Sequence, residues 1–236
     1  SKIPQTLLKN ANVVKRFSTS EFEVISFSKT RLYEKYAITI LNENGDKFAS
    51  LYRFYDQLRA VKSIEGKLYD KEGNEIRSLK NKEIQDFSAV SSISLMEDSR
   101  VKAHSFSCKN YPYTIEYEIT TEYNNTYMMP GWYPQPSEQY AVEKAELIVK
   151  CPSWFSFNYR MFNYNRGVPV IMEQKGDKLF TWSVEHLPAI LEEYAAPDLP
   201  YLTTCIFFSP ERFEIEGYKG SLSSWKEIGL FQLELN

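Results

Sequence analysis

Histidine is nearly absent from this chain: only His104 and His186 occur in 236 residues. Any Ser-His or Cys-His mechanism would have to use one of them. In "VKAHSFSC" (101–108) His104 precedes Cys108 by four residues. That spacing makes neighbours on a helix but puts them roughly 13 Å apart on a strand, and the β-rich surroundings favour the strand. The expectation is a rim histidine and a buried thiol. His186, in "VEHLPAI", stands at a strand end before Pro188 and could meet Cys108 or Cys205 only through tertiary folding. Cysteine is equally scarce. Cys108, Cys151 and Cys205 lie more than forty residues apart, which fits no zinc knuckle and no disulfide-dense scaffold. At most one bridge is possible, and three buried small hydrophobes are expected.

Other absences narrow the field further. The nine glycines form neither G-x-G-x-x-G nor G-x-x-x-x-G-K, and there is no G-x-S-x-G elbow. Net charge is −3 with both signs interleaved, so no basic block exists to meet nucleic-acid phosphates. No apolar run approaches the roughly 18 residues of a membrane span. "SKIPQTLLKN" has neither an apolar h-region nor a cleavage site, so no signal peptide is read there. Asp86, Glu97 and Asp98 cluster in an irregular stretch and Asp70 and Glu72 in a turn, where carboxylates usually meet water or backbone N–H groups. With 31 acidic residues, a carboxylate pair at glycosidase spacing is guaranteed and carries no information. No catalytic residue, metal site or cofactor is expected.

What the chain does have is aromatic residues, 17 Tyr and 15 Phe against 4 Trp, and alternation. In "YPYTIEYEITTEY" (111–123) Tyr113, Ile115, Tyr117 and Ile119 share one face and Thr114, Glu116, Glu118 and Thr120 the other. This period of two predicts a strand with one wet side. "AVEKAELIVKC" (141–151) and "RLYEKYAITIL" (31–41) repeat it, the first with Ala145, Leu147, Val149 and Cys151 inward, the second with Leu32, Tyr36, Ile38 and Ile40. Asn44-Gly45, Gly73-Asn74 and Gly176-Asp177 supply hairpin signals. After the last of these, Phe180, Trp182 and Val184 share a face. The predicted class is all-β with minor α at the termini, a large antiparallel β-sandwich.

Helix signals are confined to the ends. Residues 4–17 could hold a short helix or an opening strand. In "SSWKEIGLFQLELN" Ser224 and Glu227 predict a capping box, with Ile228, Phe231 and Leu235 as the apolar stripe. Residues 78–100 are expected to cross between sheets or line a rim. The organisation is read as a β-sandwich domain over 1–220 and a capped helix over 221–236 that leads toward a further domain. Trp225, Ile228 and Phe231 are its candidate junction.

One segment invites a binding role. "YMMPGWYPQPSEQY" (127–140) carries Pro130, Pro134 and Pro136, which exclude a helix interior or central strand and make it an extended loop. Tyr127, Trp132 and Tyr133 either present flat faces to a glycan or peptide, or cap an open end of the sandwich. Capping, with one ring exposed at most, is the favoured reading.

Seven fragments then occur in a fixed order: "LLKNANVVKR" (7–16), "LYDKEGNEIRSLK" (68–80), "DSRVK" (98–102), "YPYTIEYE" (111–118), "GWYPQP" (131–136), "HLPAI" (186–190) and "GYKGSLSSW" (217–225). Together they resemble the domain of unknown function that precedes a transglutaminase-like, papain-type domain in exported bacterial proteins. The resemblance implies a non-catalytic accessory domain, with the catalytic cysteine in a following module that would be its partner. It also implies an exported, periplasmic or cell-surface setting. It carries no catalytic residue onto this sequence.

Overall fold

A computed structural model describes residues 2–89, 98–191 and 193–234. Glu97 and Leu235 lie outside the described residues. The chain begins with one helical turn, α1 (Gln5–Leu8), and then the long strands β1 (Val13–Ser26) and β2 (Lys29–Ile40). There follow β3 (Ser50–Tyr55), β4 (Arg59–Tyr69), β5 (Glu75–Ser78), β6 (Gln85–Ser88) and β7 (Arg100–Ser105). The middle holds β8 (Tyr113–Tyr123), β9 (Tyr140–Pro152), β10 (Phe157–Phe162), β11 (Val170–Gln174) and β12 (Asp177–Leu187). The last part contains α2 (Leu199–Leu202), β13 (Cys205–Pro210), β14 (Arg212–Ile215), β15 (Tyr218–Ser221) and α3 (Trp225–Glu234).

The mostly β class is therefore observed. Eight strands form one sheet in the order β11-β12-β9-β1-β2-β8-β4-β5, and the others form three small sheets, β3-β7-β6, β10-β13 and β14-β15. The large sheet is mixed rather than wholly antiparallel, because β1 and β9 run parallel. Parallel neighbours need a long crossover, and here more than a hundred residues intervene.

The alternating strands behave as their pattern requires. Tyr113, Ile115, Tyr117 and Ile119 of β8 are buried, as are Ala145, Leu147, Val149 and Cys151 of β9. Trp182 of β12 is fully enclosed by Tyr159 of β10, Phe208 of β13 and Phe180. The opposite face of the sheet is wet and laced with ion pairs. Arg31 reaches Glu122 at 3.0 Å and Glu23 at 3.6 Å, and Lys150 reaches Glu23 at 2.8 Å. Such exposed pairs add little stability each. One end of this face is covered instead, where Leu7, Ala11, Val14 and Ala141 form a small separate core under α1. Residues 4–17 thus contain both the helix and the strand that the sequence left open.

Two of the three turn signals give hairpins. Gly73 (φ +90°) closes β4–β5, with Asp70 Oδ1 accepting from the Glu72 and Asn74 N–H groups. Lys175 (φ +54°) and Gly176 (φ +89°) close β11–β12 with the left-handed pair that a tight hairpin needs. Asn44-Gly45 does not make a hairpin. Asn42 Oδ1 accepts from Asn44 N–H at 3.0 Å and opens a 3₁₀ stretch, Glu43–Ala49, that carries the chain from the large sheet to the small one holding β3. Gly45 packs so tightly there that a Cβ would stand 2.6 Å from the Asn12 carbonyl oxygen. Of residues 78–100, the described part leaves β5 of the large sheet at Ser78 and enters the small sheet at β6; 90–97 lie outside the described residues.

His104 is not at a rim. It is buried on β7, its Nδ1 sharing a 2.7 Å hydrogen bond with the Tyr117 hydroxyl and its ring meeting Phe106 edge-on. Cys108 is half-buried, and all three cysteines are free thiols. Burial, reinforced by Arg77, holds the His104 pKa below its ordinary 6.5. A depressed histidine stabilises the fold fully above about pH 6.5 and loses that contribution as pH falls toward the folded value. Urea unfolding of wild type should therefore weaken between pH 7 and 5 more than that of His104→Asn. Parallel pH profiles would contradict this.

Candidate functional site

The inner face of the large sheet is mostly apolar, and a polar strip crosses it on β1 and β2. On β1 and β2 the register pairs Lys15 with Ile38, Ser18 with Tyr36 and Ser20 with Glu34. A bulge at Arg16 lets Lys15 and then Ser18 and Ser20 face the same side, since one extra residue inverts the alternation. Over this strip lie β3 and the 130–136 segment. They leave a cleft of about 360 Å³ whose polar lining is Lys15, Ser18, Ser20, Glu34, Tyr36 and Arg53.

Three charges share this cleft. Arg53 Nη2 pairs with Glu34 Oε2 at 3.1 Å, while Arg53 Nε is buried with no partner among the described residues. Lys15 is buried, and its ammonium donates to the Pro134 carbonyl oxygen and lies 5.5 Å from the Tyr140 ring centroid. Desolvation lowers the Lys15 pKa to about 8, against a smaller upward pull from Glu34. Burial likewise pushes the Tyr36 hydroxyl up to about 12, so it is neutral at physiological pH. The arrangement can hold a negatively charged group. Among the described residues no group of three or more His, Cys, Asp or Glu is placed to hold a metal.

The aromatic loop forms the cleft's lid. Trp132 exchanges backbone hydrogen bonds with Ile206 of β13, and its side chain is buried, 6 % exposed, against the cleft. Tyr127 and Tyr133 are 43 % and 42 % exposed, so two rings rather than one reach solvent. They do not make a common platform: Tyr127 packs on Phe213, and Tyr133 meets Phe207 edge-on. At the other end of the chain Ser224 Oγ accepts from Glu227 N–H at 3.3 Å, the expected N-cap of α3. Phe231 packs edge-on against Phe213, whereas Trp225 is 88 % exposed. The carboxylates considered as metal ligands are, among the described residues, used locally. Asp86 pairs with Tyr55 and Arg100, and Asp98 accepts from Gln57.

The polar strip was missed in the sequence reading, although two signals for it exist. Glu34 interrupts the inward series Leu32, Tyr36, Ile38, and Arg53 alternates with Leu51 and Tyr55. Lys15 gives no such signal, because the bulge breaks the period.

A family profile for a domain of unknown function with a solved structure, DUF3857, matches residues 28–191. The chain belongs to this family. The match covers the large sheet from β2 to β12, Glu34, Arg53 and the loop among them, and Lys15 lies before it. No curated protein matches this DUF3857 chain. Among solved structures, it is similar to a proposed protease from Parabacteroides distasonis, with a TM-score of 0.72 and 11 % identity over 84 % of this chain and 40 % of that one. It also overlaps an M1 zinc metallopeptidase from Deinococcus radiodurans, with a TM-score of 0.39 and 11 % identity over 85 % of this chain and 43 % of that one. The second overlap is too loose to argue from, and the first shows the fold alone. The DUF3857 chain spans less than half the length of either.

Holding the Lys15 pKa near 8 instead of 10.5 corresponds to about 3 kcal/mol against the charged fold. Because the folded value is depressed, that cost is complete below pH 8 and fades as pH rises toward 10.5. Lys15→Met should therefore unfold at pH 7 with unchanged stability, or up to about 3 kcal/mol more. Its advantage should shrink in denaturant melts taken between pH 8 and 10. A variant more than about 1 kcal/mol less stable than wild type at pH 7 would contradict the burial argument.

Proposed function

We propose that this DUF3857 chain is a non-catalytic accessory β-domain that positions or shields a transglutaminase-like catalytic module in an exported protein, periplasmic or at the cell surface. The observation that carries the reading is the surface of α3. One side of this helix is anchored, with Phe231 against Phe213 and close over Gly220. Trp225 and Leu233 are exposed away from that anchor, and Leu230 is exposed beside it, on a ten-residue helix. A fixed helix presenting several large apolar side chains suits burial against another folded unit. The ordered fragments that resemble a domain preceding such modules support the same partner. The similar fold within a chain about twice as long is compatible with it.

In this reading Trp225 is the leading anchor, since tryptophans at the centre of interfaces often dominate their energy. Ile228 is half-buried and sits between the two sides of the helix. In this role the domain would act by surface contact, limiting the approach to a neighbouring active site and restraining the module's orientation.

The test uses the longer polypeptide, with and without residues 1–220. Loss of soluble expression or of the remainder's activity on truncation is expected, and an unchanged remainder would count heavily against an accessory role. Trp225→Ser combined with Leu233→Ser should leave the melting temperature of the isolated domain within a few degrees of wild type, because both residues are exposed. In the longer protein the same pair should speed proteolysis between the two units. Equal cleavage rates would remove α3 from the junction.

A further inference from the structure

We propose that the cleft beneath the 130–136 loop binds a small aromatic carboxylate, with Lys15 and Arg53 holding the acid group and the cleft rings packing on the apolar part. This is a ligand-binding activity separate from the accessory role, and it does not rest on it.

The first observation is unused hydrogen-bonding capacity on the buried Lys15 and the half-buried Arg53. The Lys15 ammonium has three donors, and the Pro134 carbonyl is its single hydrogen-bond acceptor among the described residues. Arg53 spends Nη2 on Glu34 and Nη1 on the Tyr52 carbonyl at 3.3 Å, leaving its buried Nε–H unpaired. Buried donors in native folds are nearly always satisfied, so open ones on two residues that line one cleft ask for an acceptor. A carboxylate suits them, because a guanidinium edge and an ammonium together match its two oxygens.

The second observation is charge. Two cations meet only one carboxylate, Glu34, so the cleft carries one uncompensated positive charge among apolar walls. A monoanion neutralises it, whereas an uncharged sugar leaves it as it is. The third observation is shape and lining. About 360 Å³ falls within the roughly 300–1,000 Å³ typical of small-molecule sites. Leu32, Ile38, Phe48 and Leu147 supply aliphatic and aromatic wall, and the rings of Trp132 and Tyr140 face the same space. Flat apolar walls of this kind favour an aromatic body over a flexible chain. Phe48 and Tyr140 already meet edge-on at 5.1 Å, a geometry a bound ring can extend.

Calorimetric titration of the 236-residue chain at pH 7 tests this, using benzoate and phenylacetate with benzyl alcohol as the uncharged control. Both acids should bind and raise the melting temperature, and the alcohol should bind at least about tenfold more weakly. Lys15→Met and Arg53→Met should each lower affinity for the acids by about tenfold or more. Glu34→Gln should raise it, since it frees Arg53 from its present partner, an effect that a purely structural role for these charges would not produce. If Arg53→Met fails to fold, Lys15→Met decides alone. The proposal is overturned by the absence of heat and of thermal shift with either acid at millimolar concentration. Equal binding of the alcohol, or acid affinities indifferent to Lys15→Met, would overturn it as well. Preferential binding of inorganic phosphate would reject an aromatic carboxylate as the ligand.

Discussion

The large sheet has a continuous apolar face, and covering it is the constraint on which the rest of the molecule depends. Tyr113, Ile115, Tyr117, Leu147, Val149 and Trp182 lie along that face and belong to one core. A single second sheet of equal width would close it as a regular sandwich. This chain uses separate covers instead: β3-β7-β6 over one part, β10-β13 over another, and the proline-rich loop between them. Each cover is locally well packed. Tyr159 and Phe208 enclose Trp182, while Phe106 and His104 sit on Tyr117. The gap falls where the covers fail to meet, and there the sheet carries polar side chains among its apolar ones.

That coincidence gives the gap chemical meaning. A lysine held near pKa 8 and a guanidinium with an orphaned N–H both work against the fold, since hydrophobic residues of similar volume would pack as well or better. Sites where stability is given up in this way are where binding function is most often found. The exposed apolar surface on α3 is a different kind of feature. It lies at the surface and makes no demand on the core, so the two proposed roles, surface contact and ligand capture, are separable.

The strands were readable wherever alternation ran unbroken. β8, β9 and β12 each show their buried face in the sequence, and the caps at Asp70 and Ser224 follow from local side-chain chemistry. Legibility stopped where a tertiary contact decided the outcome. The extra residue at Arg16 inverts the alternation of β1, so Lys15 and Ser18 do not read as one face. Asn44-Gly45 has the composition of a hairpin, yet the Asn42 cap and the approach of Asn12 turn it into a crossover. The parallel neighbour of β1 is supplied by a segment more than a hundred residues away, which no local pattern encodes. Trp132 looked as available as Tyr133, and only its pairing with Ile206 turns it inward.

The claim beneath this account is that Lys15 sits as a cation in a poorly compensated site beneath the loop. Heteronuclear NMR of the lysine side chains, followed from pH 6 to 11, measures this directly through the Lys15 Cε and Nζ shifts. A titration midpoint near 8 is the expected result. A midpoint at the ordinary lysine value of 10.5 would mean that the ammonium is solvated, and the account of the cleft would be wrong.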